Sequence, residues 1–187
     1  MPTITALLPH AVHAPAPAQA PYEDWRPPIH GVSLLIPVGA DTLVVADLRG
    51  LIMLPTGTVS DGQTPEQAAR DVLLGAPDGL PALQRVACAR KQLRRRKIIT
   101  HVLATKPMTR EAVAQLVYRD PRADLRVLPT MRVLGELTPA GQLRVLTSLQ
   151  ALAIGETAHI EDGKVCATAL SDPRAPRSLP GSTVLTR

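Results

Sequence analysis

Residues 51–76 read LIMLPTGTVSDGQTPEQAARDVLLGA, and the fold turns on them. Leu51 to Leu54 form a short apolar run of strand character. From Pro55 to Gln63 the chain is punctuated by proline and glycine, which predicts a loop. Thr64 then supplies a side-chain acceptor for an N-cap, Pro65 suits the first helical position, and Gln67 completes a capping box. Ala68, Ala69, Val72, Leu73 and Ala76 fall within about 140° at roughly 100° per residue, so the sequence predicts a helix over 64–76 with one apolar face. Gly75 and Pro77 end it, and Ala69 and Leu73 are expected to be buried.

Working outward, residues 31–38 and 42–48 are apolar, β-branched runs separated by Gly39-Ala40-Asp41, a hairpin signal. Residues 83–90 and 97–105 predict two longer strands joined by a basic connection. Thr109 opens a second helix to about Tyr118, residues 125–128 and 132–134 suggest short strands, and Thr138-Pro139 starts a third helix to about Ile154. Asp162-Gly163 is a two-residue hairpin turn between 158–161 and 164–169. Strands alternating with helices predict an α/β class, a mixed β-sheet sandwiched by helices over residues 29–169. Before it, residues 1–28 hold seven prolines and six alanines and read as an extended arm, docked through Tyr22 and Trp25. Residues 170–187 read as a peripheral tail.

The loop and helix start resemble the box of the Nudix family: glycine, five residues, glutamate, seven residues, then Arg-Glu-apolar-any-Glu-Glu-any-Gly-apolar. Gly57 takes the first glycine position, and Thr64-Pro65-Glu66-Gln67-Ala68-Ala69 matches the usual helix start. With flanking strands the resemblance covers roughly residues 30–155. It implies a Nudix-like α/β/α sandwich and a cleft beside the box helix where a small phosphorylated ligand binds.

The departures bear on chemistry. Gln63 stands at the first glutamate, Asp71 at the arginine and Val72 at the glutamate after it. Gly75 and Ala76 replace the paired glutamates, and Asp78 replaces the closing glycine. The resemblance implies divalent cations held by the helix carboxylates, which need oxygen ligands. Positions 72, 75 and 76 share one face of a continuous helix, and Val, Gly and Ala offer no side-chain oxygen there. The expectation is therefore no catalytic residue, no metal and no cofactor. Asp61, Glu66, Asp71 and Asp78 read as solvated or capping acids near a helix start.

Candidate ligand contacts are Gly57 and Gln63 in the box and Arg90, Arg94, Arg95, Arg96 and Lys97 on the basic connection. With Lys91, that connection holds six of the 21 basic residues, against a net charge of +5. It suits an anionic ligand or partner; equally, it is a solvated hairpin tip. No aromatic residue lies near it to stack on bases, which argues against single-strand recognition. His101 sits on a predicted strand beside Ile99 and Leu103 and reads as a sheet residue, with His10, His13 and His30 too scattered to join it. Cys88 and Cys166 lie far apart, as reduced thiols of a cytoplasmic protein do.

No run of 18 apolar residues predicts a membrane span. Three functions fit. The first is a Nudix-like pseudoenzyme binding a small anionic ligand or a protein partner without hydrolysis. The second is an enzyme of shifted or metal-independent chemistry on a more hydrophobic substrate. The third is a nucleic-acid-associated regulator using the basic hairpin. A homodimer is compatible with all three.

Overall fold

The computed structural model describes residues 26–75 and 80–166. Most of the proline-rich arm, with Tyr22 and Trp25, lies outside them, as do residues 76–79 and the tail. Among the described residues regular structure starts with β1 (Ile29–Leu35), whose alternation serves both faces of a sheet: Val32 and Leu34 enter one core, and Leu35 enters the other. The sequence run 31–38 does not stay in one sheet. It breaks at Ile36, and β2 (Pro37–Val38) pairs instead with β3 (Thr42–Leu48) across the expected hairpin. At Arg49-Gly50 both residues have positive φ, 54° and 90°, and the chain returns as β4 (Leu51–Met53) on β3.

Part of the expected 55–63 loop is a strand. β5 (Thr56–Thr58) pairs antiparallel with β1, setting Val32 against Gly57. Gly57 is needed by close approach, because a Cβ there would stand 2.7 Å from Val72 Cγ2. The helix prediction is right at its start and wrong at its end. α1 (Pro65–Arg70) begins with the full Thr64/Gln67 capping box but stops at Asp71. The backbone then finds partners off the helix: Arg119 N–H donates to the Val72 carbonyl at 3.0 Å, and β6 (Leu73–Leu74) pairs with β9 (Val117–Tyr118). Gly75 has a φ of 88° and lies so near the Gln115 carbonyl that a side chain would not fit. Positions 72 and 75 therefore share no helical face. Ala69 and Leu73 are buried as expected.

β7 (Gln84–Gln92) and β8 (Lys97–Ala104) form the long basic hairpin. α2 (Arg110–Ala114), capped by Thr109, is shorter than expected because its continuation becomes β9. β10 (Asp124–Pro129) pairs with β3 as an edge-to-edge match of six residues. Residues 132–134, expected as a strand, belong to α3 (Thr130–Glu136); their Val133 points into the core at helical rather than alternating spacing. α4 (Pro139–Ile154) has the predicted limits, from the Thr138 cap to Gly155 at φ 75°. β11 (Ala158–Glu161) and β12 (Lys164–Cys166) close the described chain through the Asp162-Gly163 turn.

The result is a mixed six-stranded sheet, β12-β11-β7-β8-β1-β5, with a smaller sheet built on β3. Parallel pairs (β1 with β8, β7 with β11) alternate with antiparallel ones. α1 and α2 cover one core through Ala68, Ala69 and Val113; α3 and α4 cover the other through Val133, Val145 and Ala151. Without phenylalanine, both cores rest on aliphatic packing, each fully buried Leu or Val contributing roughly 1.5–3 kcal/mol. No helix among the described residues is long and apolar enough to cross a membrane.

Candidate functional site

The early end of α1 opens a cleft of about 480 Å³ between that helix, β5 and β9, lined by Thr56, Gly57, Thr58, Ala68, Asp71, Val72, Tyr118, Arg119 and Asp120. β5 is the sheet's edge, and a bare edge would leave backbone groups unpaired. Tyr118 solves this at one residue: its hydroxyl donates to the Thr56 carbonyl at 2.9 Å and accepts from the Thr56 N–H at 3.2 Å.

Both acids of the cleft are already engaged. Asp71 accepts from Gln63 Nε2 at 2.7 Å, while Gln63 Oε1 accepts from the Ser60 N–H at 3.1 Å, so the amide pins the loop to the end of α1. Asp120 is gripped by the Arg122 side chain at 2.9 and 2.7 Å. That side-chain bond, helped by the Arg122 backbone N–H, lowers the Asp120 carboxyl to a pKa of about 2. Among the described lining residues Arg119 is the one cation, and Asp120 is neutralised by Arg122.

The sequence candidates separate in space. Gly57 lines the cleft. Gln63 does not, and acts through Asp71. Arg90, Arg94, Arg95, Arg96 and Lys97 sit on the β7–β8 hairpin, away from the cleft lining. Arg90 approaches Glu161 at 3.9 Å, the Arg95 carbonyl accepts from the Arg26 N–H at 3.0 Å, and the Leu93 N–H donates to the Arg96 carbonyl at 2.8 Å. Arg26, Leu93, Arg94, Arg95 and Arg96 surround a shallow surface hollow.

Sheet pairing brings together residues that lie far apart in sequence. His30 does reach His101: β1 and β8 run parallel, and the two rings stack at 6.0 Å with planes 14° apart. Burial, then Arg85 and His30, hold the His101 imidazole below its ordinary pKa, and its buried Nδ1 has no partner. Beside it on α1, Glu66 meets Arg85 at 2.7 Å. Burial acts to raise the Glu66 carboxyl, but the helix-start N–H and Arg85 outweigh it and hold the carboxyl low. Cys88 and Cys166, distant in sequence, both stand in register with His159, and Cys88 also with His101. Both thiols are unpaired.

The divalent cations implied by the box do not fit this donor set. Val72 is buried against Gly57, Gly75 has no side chain, and Ala76 lies outside the described residues. Among the described residues no three His, Cys, Asp or Glu side chains converge on a point where a metal could sit.

Tyr118, Arg119 and Asp120 escaped the sequence because the β6–β9 pairing that brings them to α1 is non-local and short. Arg144 did leave a signal. It shares a helical face with Ser148 and Ala151, both buried, and it lines a second cavity of about 230 Å³ on the opposite face of the sheet. Thr56 lines both spaces.

No protein-family model and no curated protein matches the chain. Among solved structures, the chain is similar to the solution structure of the E. coli ORF135 protein, with a TM-score of 0.51 at 16% identity, covering 71% of this chain and 94% of that one. At that identity the likeness is one of fold.

Proposed function

We propose that the chain is a Nudix-like ligand-binding protein whose α1 cleft holds a small polar ligand, phosphorylated or otherwise anionic, without hydrolysing a diphosphate. The observation that carries this is the contact between Gln63 and Asp71 at 2.7 Å. In the box pattern these two positions carry glutamate and arginine, an opposite-charge pair. Here an amide and a carboxylate occupy them and meet, so the loop is clasped to the end of the helix. What does not survive is the carboxylate set: Val72 faces Gly57 and is buried. The clasp maintains a shaped cleft, and the chemistry for water activation is gone from it. Loss of a general base alone costs on the order of 10²–10⁴ in rate.

Arg119, the Thr56 and Thr58 side chains and Asp71 remain to orient a ligand. Calorimetric titration with ADP, paired with an assay for release of nucleoside monophosphate from ADP-ribose in Mg²⁺ or Mn²⁺, tests both halves. The expected result is one ADP per chain, lost in Arg119→Ala, with no turnover. Metal-dependent turnover abolished by Asp71→Asn or Asp120→Asn would overturn the non-hydrolytic half. Absence of ADP binding that Arg119→Ala could weaken would count against the cleft.

The hairpin favours a second reading, contact with a polyanion. Among the described residues Lys91, Arg94, Arg96 and Lys97 make no ion pair, and Lys91 and Arg94 are exposed. Duplex binding of that kind would weaken with a log–log salt slope of about −0.9 per phosphate contacted.

A further inference from the structure

We infer that the cavity on the far side of β1 is a binding site for a small apolar molecule bearing one anionic group, with Arg144 as its counter-charge. The site does not depend on the α1 cleft, which faces the other way.

Arg144 projects from α4 toward the sheet, between two cavities. The larger, of about 230 Å³, is walled by Leu51, Ile52, Met53, Leu54, Leu137 and Val145. The smaller, of about 140 Å³, is shared with Arg90 and Lys91. Burial strips water from the guanidinium and lowers its pKa, with no offsetting partner. Its Nε is buried and unpartnered, and no described residue gives it a hydrogen bond or ion pair. One turn on, Ser148 is fully buried with its Oγ also unpartnered, so the helix face carries two unmet polar groups. The acid in the larger cavity, Glu136, is committed to Arg132 at 2.9 Å.

A half-buried cation with no counter-charge is costly in a folded protein. A carboxylate or phosphate monoester relieves it, because the guanidinium fork matches two oxygens at once. The remaining walls offer mostly methyl and methylene groups, so the body attached to that anion must be apolar. The cavity is small beside the usual 300–1,000 Å³ of ligand pockets, which restricts the body to a short chain or single ring. Inorganic phosphate would satisfy Arg144 but leave the apolar walls unfilled.

The experiment is a thermal-shift and calorimetric titration with four probes: hexanoate, hexyl phosphate, hexanamide and inorganic phosphate. Hexanoate, hexyl phosphate or both should bind one per chain, whereas hexanamide and inorganic phosphate bind at least tenfold more weakly. A preference between the two anions identifies the head group. Arg144→Met should fold, melt higher than the native protein in the absence of ligand, and lose the response to the anions at least tenfold. Ala140→Leu keeps the cation but fills space in both cavities, and should lose it too. Arg119→Ala should leave these affinities unchanged, which separates this site from the α1 cleft. Equal binding of hexanamide, retained binding in Arg144→Met, or binding to neither anion overturns the proposal. An Arg144→Met chain that fails to fold also overturns it, since Arg144 would then be a structural cation.

Discussion

Val72 Cγ2 lies 2.7 Å from the point where a Cβ on Gly57 would stand. The edge strand of the main sheet and the end of α1 thus fit together only because one partner has no side chain. Gly57→Ala forces that contact and should destabilise the protein by about 1–3 kcal/mol, as overpacking does. The double variant with Val72→Ala should recover much of the loss. Denaturant unfolding of the four-member cycle measures the coupling, and additive effects would show that the backbone shifts to absorb the methyl.

Val72→Glu, which would place a carboxylate at the end of α1, should fail to create a metal site. Val72 is buried against Val32, Ala68 and Ala69, and a carboxylate there is desolvated without a partner. Loss of cooperative unfolding, or a drop in stability of roughly 3 kcal/mol or more, is the expected result. A stable variant that binds Mn²⁺ would mean the helix can extend beyond Asp71.

The Gln63–Asp71 clasp predicts a charge-swap pattern. Gln63→Glu sets two carboxylates against each other across a 2.7 Å contact and should cost about 1 kcal/mol at this exposed position. Adding Asp71→Arg should restore the stability, because the pair becomes complementary. Melting temperatures of the two single variants and the double decide it.

His101 predicts a pH dependence. Its folded pKa lies below the ordinary value of 6.5, first because of burial and then because Arg85 and His30 are near. Protons therefore bind the unfolded chain more readily. The contribution is intact above pH 6.5 and is lost as pH falls below it toward the folded value. His101→Gln should flatten the stability profile between about pH 7 and 5, while leaving the acid limb below pH 4, where Asp and Glu titrate, unchanged.

On the hairpin, alanine at both Lys91 and Arg94 should alter stability by no more than about 0.5 kcal/mol, because both are exposed and make no ion pair. A larger loss, seen in denaturant unfolding, would show that their aliphatic stems pack on the sheet.

Local chemistry was legible wherever a few neighbouring residues determine the outcome. Thr64, Pro65 and Gln67 start α1 as expected because a capping box closes within four residues. The Thr138 cap starts α4 just as locally, and the 162–163 turn follows from Asp162 and Gly163, residue types that tolerate positive φ. The β3 strand and the β7–β8 hairpin also follow from sequence alone.

What the tertiary structure decided was every choice between two satisfactory partners. Residues 71–75 could have continued a helix by their apolar spacing. β9 offers their backbone a ladder instead, and Leu73 reaches the core from there. Residues 132–134 fit a strand or a helix, and Val133 packing under α4 selected the helix. The cleft inherits these choices: Tyr118, Arg119 and Asp120 face Asp71 through a two-residue ribbon no local pattern marks. The His30–His101 stack needs the parallel register of β1 with β8, which forms only when strands some seventy residues apart meet. Sequence determines what each segment can do within a turn or two. Only burial, which compares distant partners for the same backbone groups and apolar faces, determines which of those options is taken.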